Sequence, residues 1–187
     1  MIHSVRFTAV LDTNVIYPVI IRDLLLWFAH YDLYTPKWSA NIFDEWKTVM
    51  MRRGISEEEA EKRAQAPNRA FPDAFVLNYE GIIPSLTLPD PNDCHVLAAA
   101  IKSNANVVVT NNIKDFPKGY LNSFGVGVKT ADDFLTDIID LNHEVSIQAF
   151  REMVVHKKNP KMDVYQVLDQ LRKSGLIDTA NYLHSLL

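Results

Sequence analysis

The chain has 187 residues, 48% of them apolar, a single cysteine and a formal net charge of -4. That is enough for one domain with a sizeable core and a small appendage, while the lone Cys94 excludes an internal disulfide and a Cys-rich zinc site. The acidic balance argues against a generally basic nucleic-acid coat but leaves room for a local basic patch; no apolar run reaches the ~18 residues of a membrane span and no leader pattern is evident, so the expectation is a soluble cytoplasmic protein with no membrane partner.

Residues 5–11, VRFTAVL, form a short apolar run that fits a buried first strand and stops at the turn formers Asp12, Thr13 and Asn14. A helix is predicted from Pro18, which suits a first helical position, to Tyr31, and LYTP makes a short second strand. Ser39 is a candidate N-cap for a helix reaching Arg53, where Gly54 stops it, and Ser56 opens another with Glu57, Glu58 and Glu59 in its first turn. Residues 67–84 carry no decisive pattern. Further on, VLAAAI has helical spacing, NVVVT is a β-branched run of the kind that fills a buried parallel strand, and FGVGVKT is one more strand. Thr130, Ala131, Asp132 and Asp133 then start a helix with a capping-box-like pattern. Helices alternating with short apolar strands predict an α/β fold with a parallel sheet covered on both faces.

From residue 141 the alternation ends, and EVSIQAFREMVVHKK, DVYQVLDQLRK and LIDTANYLHSLL read as helices separated by Asn159-Pro160 and Ser174-Gly175. The expected organisation is therefore a domain over residues 1–140 and a helical extension over 141–187. Val164, Val167, Leu168 and Leu171 form a helical stripe, and Leu176, Ile177, Leu183, Leu186 and Leu187 leave the end richly apolar. Such faces either pack on the core or serve a partner.

Acids and amides gather at element boundaries. Asp12 follows an apolar strand directly and so belongs at its C-terminal edge, although a turn or cap aspartate would look the same. In NIFDEWKTVMMRR the apolar stripe runs through Ile42, Trp46, Val49 and Met50; Glu45 falls on it, and Asp44 falls on the opposite, solvated face. A glutamate on an inward stripe costs desolvation unless a cation, metal or donor network stands beside it. Asp93 is a natural N-cap for the VLAAA helix, Asp90 precedes Pro91 in extended backbone, and Asn112 and Asp115 leave the NVVVT strand just as Asp12 and Asn14 leave the first one. Clustered carboxylates repel, and they are tolerated together at neutral pH when a divalent cation sits among them. Oxygen donors without cysteine or paired histidine suit Mg2+ or Mn2+ rather than zinc, and a carboxylate-held cation of that kind suits phosphate-ester chemistry. Neither GxGxxG nor GxxxxGK[ST] is present, no Ser-His-Asp or Cys-His arrangement competes, and D-T-N is not the D-x-D of a haloacid-dehalogenase-type phosphatase.

The segments VLDTNV, NIFDEW, DPNDCHVLAAA and VVVTNNIKDF occur in the order found in PIN-domain ribonucleases, and over residues 6–135 the sequence resembles that family and, within it, the VapC-like toxins of toxin–antitoxin pairs. The resemblance implies a PIN-like parallel sheet flanked by helices with a C-terminal helical extension. It places the catalytic, metal-holding acids on Asp12, Glu45 and Asp93. The fourth position falls on Asn112, where many relatives have aspartate, and Asp115 is the candidate to supply the missing carboxylate. Asp90 belongs to the D-P-x-D form of a similar subgroup that carries the helical extension. Implied with these are Mg2+ or Mn2+, endoribonuclease activity on transfer RNA or another structured RNA, and inhibition by a cognate antitoxin protein; the oligomeric state is left open, a homodimer being one option. A catalytically inactive PIN-fold module that binds RNA or protein is the alternative that Asn112 keeps open, and a 5′-nuclease-like DNA repair enzyme is a third reading.

Such a protein must still hold RNA. The candidate contacts are Lys47, Arg52 and Arg53, followed by Lys62, Arg63 and Arg69, with Lys114 and Lys118 beside the fourth motif. A solvated helix face is the competing account of each. His95 is expected to lie behind the ligands or simply to be exposed.

Overall fold

The structure, a computed structural model, describes residues 7–187, so the first two residues of the expected 5–11 strand lie outside it. Strands β1 (Thr8–Leu11), β2 (Thr35–Lys37), β3 (Val107–Val109) and β4 (Gly127–Lys129) form one four-stranded sheet in the order β2-β1-β3-β4. Every pairing is parallel. Ala9, Val10, Leu11 and all three valines of β3 are buried, as β-branched and small apolar residues must be in a sheet covered on both faces. From β1 the chain goes first to β2 on one side and later to β3 on the other. The C-terminal ends of β1 and β3 therefore flank the crevice where strand order reverses, the place where open α/β sheets bind ligands.

Asp12 opens a single-turn helix, α1 (Thr13–Ile16), and α2 (Val19–His30) begins one residue after Pro18. Ser39 caps α3 (Ala40–Arg52), which ends before Gly54 at φ +85, a left-handed conformation that glycine adopts without Cβ strain. Ser56 caps α4 (Glu57–Ala70), whose three first-turn glutamates face the positive end of the helix dipole. The undecided stretch after residue 67 resolves into the last turn of α4, which tolerates Pro67 there, and the short 3-10 turns Pro72–Ala74 and Glu80–Ser85. Next comes α5 (Cys94–Lys102), buried at every residue from Cys94 to Ala100. Its start corrects one expectation. Asp93 has helical backbone and makes no capping bond; Asp90 instead accepts from the Asn92 amide at 2.9 Å and opens the 3-10 turn Pro91–Asp93. Capping therefore occupies Asp90 and leaves the Asp93 carboxylate for other work.

After α6 (Lys118–Asn122) and β4, four helices complete the chain: α7 (Ala131–Leu141), α8 (His143–His156), α9 (Val164–Lys173) and α10 (Ile177–Ser185). Helix α8 lies against α2, and Lys157 beyond its end pairs with Asp23 at 2.9 Å. Helix α10 packs on both α7 and α9, and the Asp132 carboxylate in α7 accepts from the backbone N–H of Asp178 and Thr179 at 3.0 and 2.8 Å. Val167, Leu168, Leu171, Leu176 and Leu183 are all buried. Most of the apolar face that sequence alone left open to a partner is thus buried inside the molecule, with Val164 and Leu186 partly covered and Ile177 and Leu187 exposed. No helix among the described residues is long and apolar enough to cross a membrane.

Asp132→Ala should therefore leave the first turn of α10 without its anionic cap and lower stability by about 1–2 kcal/mol, the usual size of a lost helix cap made by a charged acceptor. Urea denaturation measures this. An unchanged midpoint would show that apolar packing alone seats α10.

Candidate functional site

Asp12 is 5% exposed at the end of β1 and is held on every side. Its Oδ1 accepts from the Thr13 amide at 2.7 Å, and its Oδ2 accepts from Asn14 Nδ2 at 2.6 Å and from Thr110 Oγ1 at 2.8 Å. Asn14 Oδ1 in turn accepts from the Asn111 amide at 2.9 Å. The similar motifs D-T-N and T-N-N, one after each central strand, thus stitch the two strand ends together. Burial raises the Asp12 pKa above the usual carboxylate value, opposed by the bonds from Thr110 and Thr13 and reinforced by the charge of Glu45.

Glu45 reaches the same crevice from α3. Rather than lying under the buried face made by Ile42, Trp46 and Met50, it sits at the edge of that face with its side chain 41% exposed, turned toward α1 and α5. Thr13 Oγ1 donates to its Oε2 at 2.5 Å and His95 Nε2 meets its Oε1 at 2.8 Å. Burial pushes the Glu45 pKa up, but the bonds from His95 and Thr13 outweigh it and the net shift is downward. His95 is 7% exposed, so the option of a simply exposed histidine is overturned: one residue into α5, it is buried with its ring on Glu45. Asp44 is solvent-exposed, as its helical phase predicts.

Asp93 completes the trio. Its Oδ2 is buried without a hydrogen-bond partner, and its pKa is pushed up to about 7, first by desolvation and then by the charges of Asp12, Asp90, Asp115 and Glu45. Asp93 therefore feels the charge of the other four predicted carboxylates across one crevice. Asn112 joins them by donating from Nδ2 to Asp115 Oδ2, while its amide bonds Thr110 Oγ1 at 3.1 Å. As it stands, no group of three or more His, Cys, Asp or Glu side chains among the described residues is arranged to hold a metal ion. The oxygens of Asp12 and Glu45 are engaged by their hydrogen-bond donors. The donor set nevertheless fits a hard divalent cation in charge and chemistry: it is all oxygen, mutually repelling, and includes a buried carboxylate oxygen with nothing to accept from.

The predicted RNA contacts fare unevenly. Lys47 is paired with Asp44 at 2.9 Å and Glu61 at 3.0 Å, so its charge is compensated within the protein. Arg53 lies over the Tyr17 ring at 4.8 Å, and Arg52 and Lys114 are exposed. Sequence reasoning assigned no role in the site to Thr13, Asn14, Thr110 or Asn111. The repeated Thr-Asn after both strands was the available signal.

An acid whose pKa is raised on folding stabilises the fold below its unfolded value and loses that contribution as pH rises through the folded one. With Asp93 at about 7, the melting temperature in the absence of divalent cations should fall between about pH 5 and about pH 8, and Mg2+ should restore it most at the upper end. The opposite contribution of Glu45 lies below the ordinary glutamate value of 4.5, outside this window. Asp93→Asn should remove most of the slope. A slope of equal size in parent and variant would assign it to Asp12 instead, whose pKa burial also raises.

Residues 8–114 match the family model of the PIN domain, and residues 131–185 match that of the VapC50 C-terminal domain. A protein of Mycobacterium tuberculosis (strain ATCC 25618 / H37Rv) named "Putative ribonuclease VapC50" is 32% identical over 117 residues, covering 63% of this chain and 68% of that protein. No solved structure gives a significant match. The PIN match runs from the first strand through the turn after β3, the stretch that brings Asp12, Glu45, Asp93 and Asn112 to one crevice, and the chain belongs to the PIN-domain family.

Proposed function

We propose that this protein is a divalent-cation-dependent endoribonuclease that hydrolyses RNA phosphodiester bonds, using Mg2+ or Mn2+, and that it is the toxin of a toxin–antitoxin pair. The observation that carries the reading is the gathering of Asp12, Glu45 and Asp93 at the strand-order reversal, with a buried Asp93 oxygen left unpartnered. The name of the Mycobacterium tuberculosis relative supports RNA as the substrate class. Asp12, Glu45 and Asp93 would hold the cation, with Asp90, Asn112 and Asp115 around them. A cation bound there supplies Lewis acidity toward the phosphodiester oxygens and makes water a better nucleophile at neutral pH.

The protein's own part is position and charge. Asp12 cannot swing, because three donors fix both of its oxygens. Glu45 stays ionised at neutral pH through His95 and Thr13, and so keeps a negative oxygen on the crevice. Asp93 is the adaptable member: near neutral pH it holds a proton when nothing else neutralises the cluster and releases it when something does. No protein nucleophile is needed. In this reading a structured RNA such as transfer RNA is the substrate, a cognate antitoxin the inhibitor, the cytoplasm the compartment, and a homodimer an assembly to be checked by sedimentation. Asn112 favours a second reading, a binding module without catalysis, because it brings an uncharged amide where relatives have a carboxylate.

Asp12→Asn and Glu45→Gln should each lower cleavage of structured RNA by on the order of 10²-fold or more while the fold persists in circular dichroism, the scale of removing one preorganised electrostatic contact. Parent-like cleavage by either variant would sink the assignment. A parent inert toward RNA with both cations, yet binding RNA or protein, would establish the second reading.

By calorimetric titration with Mg2+, Asn112→Asp should tighten binding and Asp115→Asn should weaken it, each by about tenfold, because each changes the facing charge by one unit. Unchanged titrations for Asp115→Asn would reduce that residue to a partner of Asn112.

A further inference from the structure

Just past α1, at Tyr17, helices α2, α3 and α4 border a cleft of about 500 Å³ on the side of α3 that also carries Glu45 to the acids. Arg22, Arg53 and Arg63 come together there, and no carboxylate is among the lining residues. Arg22 is anchored: its Nη1 donates to the carbonyls of Ile16 and Tyr17 at 2.9 and 3.3 Å, and its guanidinium lies over the Trp46 ring at 4.8 Å. Arg53 is held in the same manner over Tyr17 at 4.8 Å. The acid adjacent to Arg22 in sequence, Asp23, is paired with Lys157, and Arg63 has only Glu59 of its own helix, at 2.8 Å. No ion pair among the described residues involves Arg22 or Arg53.

This arrangement is costly for the free protein. A guanidinium does not shed its proton, and one that is largely withdrawn from water beside a second guanidinium lacks compensation unless an anion joins it. Desolvation first, and Arg63 as well, push the Arg22 pKa down against the pull of Asp23. The planar forks of the three arginines match phosphate oxygens, and the rings beneath two of them fix their orientation in advance. A neighbouring groove of about 460 Å³ shares Arg22 and Arg63 and continues along α2 past Trp27 and Phe71; its one acid, Asp23, is paired with Lys157. Guanidiniums followed by aromatic faces make the combination that holds single strands, with phosphates on the cations and bases on the rings.

We propose that this cleft is an RNA-backbone subsite outside the acid cluster, in which Arg22, Arg53 and Arg63 bind phosphodiesters of single-stranded nucleotides flanking the one that is cut. The proposal rests on the RNA-cleaving reading of the acids, and it transfers the main RNA contact from Lys47, held between two acids, to a group of arginines in which only Arg63 has an ion-pair partner, the exposed Glu59.

The test is equilibrium binding of a labelled single-stranded oligouridylate to the full chain in EDTA, where no cleavage occurs, over a series of salt concentrations. Arg53→Gln/Arg63→Gln, both at exposed positions, should weaken binding by about tenfold or more at low salt and flatten the slope of log K against log salt by about 1.4, or about 0.7 per lost phosphate contact. Arg22→Gln should also weaken binding and flatten the slope by about 0.7, with its melting temperature followed because Arg22 also anchors the chain at the end of α1. Lys102→Gln/Lys173→Gln makes the same change in net charge elsewhere and should leave binding as in the parent. The proposal is overturned if the parent does not bind, if the arginine double variant keeps parental affinity and slope, or if the lysine control loses as much. It is also overturned if polyglutamate binds as tightly as RNA with the same arginine dependence, which would make the cleft a site for an acidic protein. A parent that binds RNA through these arginines but never cleaves it with Mg2+ or Mn2+ supports the subsite and removes the nuclease reading. A parent that cleaves while the arginine variants bind undiminished removes the subsite alone.

Discussion

The arrangement depends on a buried carboxylate. Asp12 stands where β1 ends against β3, and a charged group so far from water is tolerable only when its oxygens are met by donors. The protein supplies them from its nearest neighbours in sequence, Thr13 and Asn14, and from Thr110 across the sheet. Those same residues close the turn after each central strand. Satisfying Asp12 and setting the sheet's central register at its C-terminal edge are thus a single event, and the positions of Glu45 and Asp93 are defined relative to that point.

Around it the acids divide into two kinds. Asp12 and Glu45 are fixed by hydrogen bonds. Asp93 is fixed by its backbone alone, since the capping duty at the start of α5 has passed to Asp90. The consequence is a site with two acids held rigid by hydrogen bonds and one whose protonation answers to its neighbours. His95 contributes by holding Glu45 from within α5, so the apolar helix that fills the core also sets the aim of an acid on α3.

Much of this was legible in the sequence. Short β-branched runs, Ser39 and Ser56 as caps and Gly54 as a stop are local signals, and local physics decided them. The positions of Asp12, Glu45, Asp93 and Asp115 at boundaries followed from strand and helix phase, although phase alone placed Glu45 too far inward. What sequence could not supply was partnership. Whether Lys47 was free depended on Glu61, fourteen residues away on another helix, and whether His95 was exposed depended on how α3 and α5 meet. Asp93 and Asp90 exchanged the expected cap because Pro91 begins a 3-10 turn before the α-helix, a difference of one turn that residue preference does not resolve.

The ion pair between Lys157 and Asp23 ties the last four helices to the electrostatics of the first half of the chain. Asp23 adjoins Arg22 and is the acid best placed to neutralise it; a lysine delivered by the end of α8 draws that carboxylate away. The terminal helices thereby act as a remote counter-charge, sharing out the carboxylate that would otherwise serve Arg22 alone. A chain shortened before Lys157 would leave Asp23 without its partner and so alter the potential around Arg22, although Arg22 itself would remain.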